Sequence, residues 1–118
     1  MNKHLIVLLY LIMDFIWINT NKTLYGDNIK KIQNDEMKVK IVPAVLAYTL
    51  LVFNIYTILI PRMKSELEYA IVGMVIYGVY NMTNQATLKD YPLSISLIDT
   101  AWGTFSHYIL GYMIFNLI

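Results

Sequence analysis

Four apolar runs dominate this chain of 118 residues, and the connections between them carry charge or proline. They cover about Lys3 to Thr20, Ile41 to Ile60, Leu67 to Leu88 and Leu93 to Ile118, and no lysine or arginine follows Lys3 within any of them. A bilayer is crossed by roughly 20 mostly apolar residues in a helix. Backbone amides and carbonyls in lipid must pair within their own segment, so such runs read as helices and not as open strands. The expected fold is an all-α membrane protein: a four-transmembrane-helix bundle, with residues 1–118 forming a single transmembrane domain. Between the first two runs lies the polar segment "NKTLYGDNIKKIQNDEMKVK", with five lysines against Asp27, Asp35 and Glu36. Leu24, Tyr25, Ile29 and Ile32 recur in it at helical spacing, which suits either a short helix lying at the interface or an ordered loop.

Composition agrees. Charged residues make up 14% of the chain, against about 25% in soluble domains. The mean hydropathy is +0.52. A net charge of +1 leaves no broad basic face for a nucleic acid, so none is expected as a partner. Cysteine is absent, which excludes disulfides and thiolate chemistry. The N-terminal run is interrupted by Asp14 and has no small-residue cleavage site after it, so it reads as a retained helix and not a signal peptide. Paired-histidine metal spacing, a phosphate-binding glycine loop, a potassium-filter sequence and the Glu-x-x-His pattern of di-metal bundles are all missing. No catalytic or metal-ligating residue is therefore assigned, and the cofactor question is left open.

Lysine and arginine set the expected orientation. Six lie on the side of segments 21–40 and 89–92, and three on the side of the N-terminus and the 61–66 turn. The positive-inside rule then places both chain ends away from the cytoplasm.

Within the runs, polar residues gather at one depth. Asp14 lies six residues before the end of the first run, Asn81, Thr83 and Asn84 four to seven residues before the end of the third, and Asp99 six residues into the fourth. At 1.5 Å per residue, six residues is about 9 Å. Tyr48 enters the second run to a similar depth. Tyr10, Asp14 and Trp17 share one helix face; Gly73, Tyr77, Tyr80 or Asn81, and Asn84 share another; Ser96, Asp99, Gly103 and His107 share a third. Small and polar stripes of this kind mark where membrane helices touch. An ionised aspartate at mid-bilayer costs about 2.5–3.5 kcal/mol. With no cation inside a run, desolvation favours the neutral acid for at least one of Asp14 and Asp99, donating its proton to an amide or a backbone carbonyl. Asp14, Trp17, Tyr48, Tyr80, Asn81, Thr83, Asn84, Asp99 and Trp102 are thus the candidate ligand-binding residues. For each, a structural role in locking the helices together is the alternative. His107 reads as a core histidine.

"YNMTNQATLKDYPLSISLIDTAWGTF" (80–105) resembles the signature of small four-span membrane proteins grouped as the domain of unknown function 2177 family. Members read Tyr-Asp-Leu-Thr-Asn, Ala-Thr-Leu, a Lys-x-x-Pro turn and Asp-x-Ala-Trp-Gly-Thr, and they occur in bacteria and some large DNA viruses. Asp14 to Trp17 is similar to an Asp-x-x-Trp in their first helix, and "LYGDNIKK" is a looser match to their tyrosine-containing first loop. Asn81 stands where the family commonly has aspartate. The resemblance implies the fold and a polar pocket, and no established activity.

The function expected on these grounds is that of a multi-pass integral membrane protein of uncharacterised activity. It binds or translocates a small polar ligand, a lipid headgroup or a proton through an intramembrane polar pocket. Its partners are the bilayer and such a ligand, with a homo-oligomer expected if it conducts ions. The alternatives are a lipid-modifying enzyme using Asp14 or Asp99 as acid or base, and a purely structural membrane component.

Overall fold

The structure is a computed structural model that describes residues 1–35, 38 and 40–118. Glu36, counted among the charges of the first connection, lies outside the described residues, as do Met37 and Val39. Among the described residues there are five helices and no strand: α1 (Lys3–Thr20), α2 (Lys22–Gln33), α3 (Ile41–Arg62), α4 (Glu66–Thr87) and α5 (Leu93–Asn116). Four of them are long, and α2 is the short amphipathic helix that the spacing of its apolar residues allows.

Local chemistry sets the boundaries. The Asn2 side chain caps α1 by accepting from the Leu5 N–H at 2.9 Å. Ser65 caps α4 through the Glu68 N–H at 3.2 Å, and the Glu68 carboxylate reaches back to the Lys64 N–H, a capping box shifted by one residue. Asn34 ends α2 in the left-handed region at φ 56°, a conformation asparagine tolerates. α3 carries a π-helical turn at Ile55–Leu59, just before Pro61. Proline has no N–H for the Thr57 carbonyl; the Arg62 Nε–H takes that acceptor at 3.4 Å.

The core lies at one end of the molecule. Ile6, Val7 and Tyr10 of α1 meet Ile55 and Leu59 of α3, Tyr69 of α4, and Leu110 and Ile114 of α5. From there α4 and α5 run as a close antiparallel pair. A Cβ added at Gly73 would overlap the Gly103 carbonyl, one at Gly103 would enter the Tyr77 ring, and one at Gly111 would lie 2.8 Å from the Tyr69 ring. Glycine is the residue that permits this backbone approach. The first part of α3, Ile41–Asn54, buries no residue.

Large apolar side chains are exposed on every long helix, among them Phe15, Leu50, Phe53, Val79 and Leu97. Apolar surface on this scale marks a molecule whose exterior meets lipid or protein. By length and composition, α1 and α3 are apolar enough to cross a membrane. α4 and α5 have the length but are diluted by the polar side chains on their shared face, including Asn81, Ser96, Ser106 and His107, all buried.

Candidate functional site

At the end opposite the core, α1, α3, α4 and α5 carry a connected set of polar and aromatic side chains, and α2 lies across it. Asp14 is buried, at 4% exposure. Its Oδ1 accepts from the Trp102 indole N–H at 2.9 Å, and its Oδ2 accepts from the Tyr48 hydroxyl at 2.9 Å. Asp99 is half-buried. Its Oδ1 accepts from the Tyr25 hydroxyl at 3.0 Å, and its Oδ2 accepts from the Asn81 amide at 2.7 Å. The orientation of that amide is fixed by its neighbours. Asn81 Nδ2 also donates to the Tyr77 carbonyl at 2.8 Å, which can only accept, and Asn81 Oδ1 accepts from the Tyr91 hydroxyl at 3.1 Å.

Two tryptophans join the halves. Trp17 and Trp102 stack face to face, with centroids 4.4 Å apart and planes 2° from parallel. Trp102 donates to Asp14, while Trp17 donates to the Tyr25 hydroxyl at 3.1 Å, and Tyr25 in turn donates to Asp99. The sequence holds the pattern Asp-x-x-Trp twice, at Asp14–Trp17 and Asp99–Trp102. Each aspartate is served by the tryptophan of the other copy, Asp14 directly and Asp99 through Tyr25.

Each aspartate has one N–H group and one tyrosine hydroxyl as its partners. All four carboxyl oxygens accept from side chains, and indole and amide N–H groups are donors only. Burial holds the Tyr25 hydroxyl above its ordinary range; the Trp17 indole opposes this, and the negative charge at Asp99 adds to it. Burial also raises Tyr91. Both hydroxyls therefore remain donors at neutral pH.

A cavity of about 360 Å³ opens beneath α2. Asp99 and Asn84 line it with Tyr25, Tyr80 and Tyr91, and Lys22 stands at its rim on the first turn of α2. Ile29, Ile32 and Ile95 supply apolar wall. A second cleft of about 530 Å³ lies between α3 and α4 and shares Tyr80 and Asp99 with the first.

The sequence candidates thus divide. Asp14, Trp17, Tyr48, Asn81, Asp99 and Trp102 are joined by hydrogen bonds and stacking. Tyr80 and Asn84 line the cavity beside Asp99. Thr83 is exposed, outside this group. Three partners were missed. Tyr25 was visible only as an apolar position of α2; Tyr91 sits in a turn; Gln85, which accepts from Ser96 Oγ at 3.0 Å, continues the polar face of α4 past Asn84. His107 is fully buried, with Nδ1 2.9 Å from the Gly103 carbonyl, between the edges of Tyr10 and Tyr77.

Two helices of this chain are long and apolar enough to cross a bilayer, and large apolar side chains are exposed on its exterior. A family model described as "Predicted membrane protein (DUF2177)" matches residues 3–115, and the chain belongs to that family, in agreement with the resemblance carried by residues 80–105. No curated protein and no solved structure matches the chain.

Proposed function

We propose that the protein is a four-span, multi-pass membrane protein, a single transmembrane domain, that binds a small ligand or lipid headgroup in the polar site under α2. The four-span reading is supported by four long helices whose outward faces are apolar on each, the polar faces of α4 and α5 being turned toward one another. The observation that carries the binding reading is the half-buried Asp99, held by two neutral donors at the wall of a cavity large enough for a small molecule.

Translocation of a proton between the two aspartates has less support. Among the described residues, the chain of hydrogen bonds between them is interrupted at the stacked indole faces. An indole N–H donates and cannot accept, so it breaks a proton relay at Trp102 and again at Trp17. A purely structural role is favoured by one specific observation, that every carboxyl oxygen already has a partner.

Native mass spectrometry of protein extracted in mild detergent separates binding from structure. Wild type is expected to retain a small-molecule or lipid adduct that Asp99→Asn loses while its helical circular dichroism is unchanged. Identical spectra for both proteins, without a retained adduct, would establish the structural role.

A further inference from the structure

Asp99 brings a carboxyl group into the site without a cationic partner among the described residues. Tyr25 and Asn81 are neutral, and each carboxylate oxygen keeps a lone pair beyond the one they occupy. Three tyrosines line the cavity with Asp99, and tyrosine suits a cation through both hydroxyl and ring face. The charge at the rim has the opposite sign, since Lys22 is exposed at the mouth of the same cavity. A ligand that satisfied both would carry an ammonium inside and an anion outside.

The cleft between α3 and α4 extends this arrangement. It begins at the shared wall of Tyr80 and Asp99 and continues along Ala47, Leu50, Leu51 and Ile76. On α4, passing from Asn84 and Leu88 back to Tyr80 and Ile76 leads away from the surface where α2 lies. On α3, passing from Ile41 to Asn54 does the same. Polar groups therefore cluster near the surface and the apolar walls lie deeper, the order in which a leaflet arranges headgroup and acyl chain.

We propose that the cavity under α2 and the cleft between α3 and α4 are one site for a phospholipid with an ammonium-bearing headgroup, the ammonium at Asp99, the phosphate at Lys22 and an acyl chain along the cleft. This rests on the reading of the chain as a membrane-spanning, ligand-binding protein, and it names the ligand class of that site.

The test uses the full chain in an uncharged detergent. Trp17 and Trp102 are its two tryptophans, and Trp17 touches the hydroxyl that caps Asp99, so intrinsic fluorescence reports on the site. Three probes are titrated: lysophosphatidylethanolamine, lysophosphatidylglycerol of the same chain length, and O-phosphoethanolamine without a chain. Saturable binding of the first is expected, with the second about tenfold weaker because it lacks the charge partner of Asp99. The chain-free headgroup should be weaker still. Asp99→Asn should abolish the preference for ethanolamine over glycerol. If that variant does not fold, the wild-type preference stands as the readout, together with Lys22→Gln at the exposed rim, which should weaken the ethanolamine lipid. Equal affinity for both lysolipids in wild type would overturn the ammonium assignment and leave a lipid-binding protein. Binding of O-phosphoethanolamine as tight as its lysolipid would overturn the lipid assignment. No saturable signal with any probe would end both this proposal and the ligand-binding reading.

Discussion

Replacing each tryptophan of the stacked pair by phenylalanine should have unequal effects, although both changes remove half of the same stack. Trp102→Phe deletes the N–H that serves Asp14 Oδ1 at 2.9 Å, in a site where Asp14 is 4% exposed. Trp17→Phe deletes an N–H that serves a neutral hydroxyl at 3.1 Å. Hydrogen bonds to charged groups contribute about 1.5–3 kcal/mol, and neutral ones about 0.5–1.5 kcal/mol. Bonds between membrane helices average about 0.6 kcal/mol in double-mutant cycles and reach about 1.7, because the unfolded chain in a membrane also finds partners. Scaled to that range, Trp102→Phe should be less stable than Trp17→Phe by about 1 kcal/mol. The stacking term, part of about 0.5–1.5 kcal/mol, is common to both variants. The double variant should therefore fall short of additivity by roughly that term. Unfolding in mixed micelles with increasing denaturing detergent, followed by far-ultraviolet circular dichroism, gives all three values. Equal losses in the single variants, or strict additivity in the double, would refute the reciprocal arrangement of the two Asp-x-x-Trp copies.

Other consequences can be measured separately. Gly103→Ala should destabilise by about 1–3 kcal/mol because its Cβ would enter the Tyr77 ring. Gly78→Ala, whose Cβ would meet Thr100 Cγ2 at 3.7 Å, should be neutral or stabilise by up to about 1 kcal/mol through helix propensity; the same detergent titration reads both. Tyr25 titrates above its unfolded value of about 10, so its contribution is complete below about pH 10 and is lost as pH rises through the folded value. Tyr25→Phe should remove that part of the alkaline loss of stability. For the four-span topology, single cysteines at Asn2, Lys30, Met63 and Asp90 should label from two sides, with 2 and 63 on one side and 30 and 90 on the other. Labelling of 2 and 30 from the same side would exclude it.

Helix positions were legible because lipid-sized apolar runs are bounded by charge, Pro61 and Pro92. Depth was also legible, since counting residues from a helix end gives height directly. Azimuth was less so. Thr83 matches Asn81 and Asn84 in depth, yet two residues along a helix is a turn of about 200°, and Thr83 falls on the exposed side of α4. Asn84 shares the stripe of Asn81 but lines the cavity without bonding to Asp99, because only Asn81 faces the α5 carboxylate directly. The part played by Tyr25 was hidden because a connection gives no register against the helices it covers. The partners of the two aspartates were hidden for a related reason. Counting cations along the runs finds none, whereas the carboxylates are served by indole, phenol and amide donors arriving from other helices. The π-turn in α3 carries no sequence signal beyond the proline that follows it.

The most direct test of Asp99 as the ligand anchor is a distance in a bilayer. Solid-state NMR on protein carrying ¹³C-aspartate, with ¹⁵N-labelled ethanolamine headgroup on the lysolipid, reports whether the two labels come together. Asp99→Asn, which removes one of the five aspartate signals, serves to assign the Asp99 resonance. A dipolar contact is expected between Asp99 Cγ and the headgroup nitrogen at about 4 Å, the reach of an ion pair, and its loss when unlabelled lysophosphatidylethanolamine displaces the labelled lipid. Saturating lysolipid whose chain contacts the α3–α4 cleft while its nitrogen stays remote from Asp99 would contradict it.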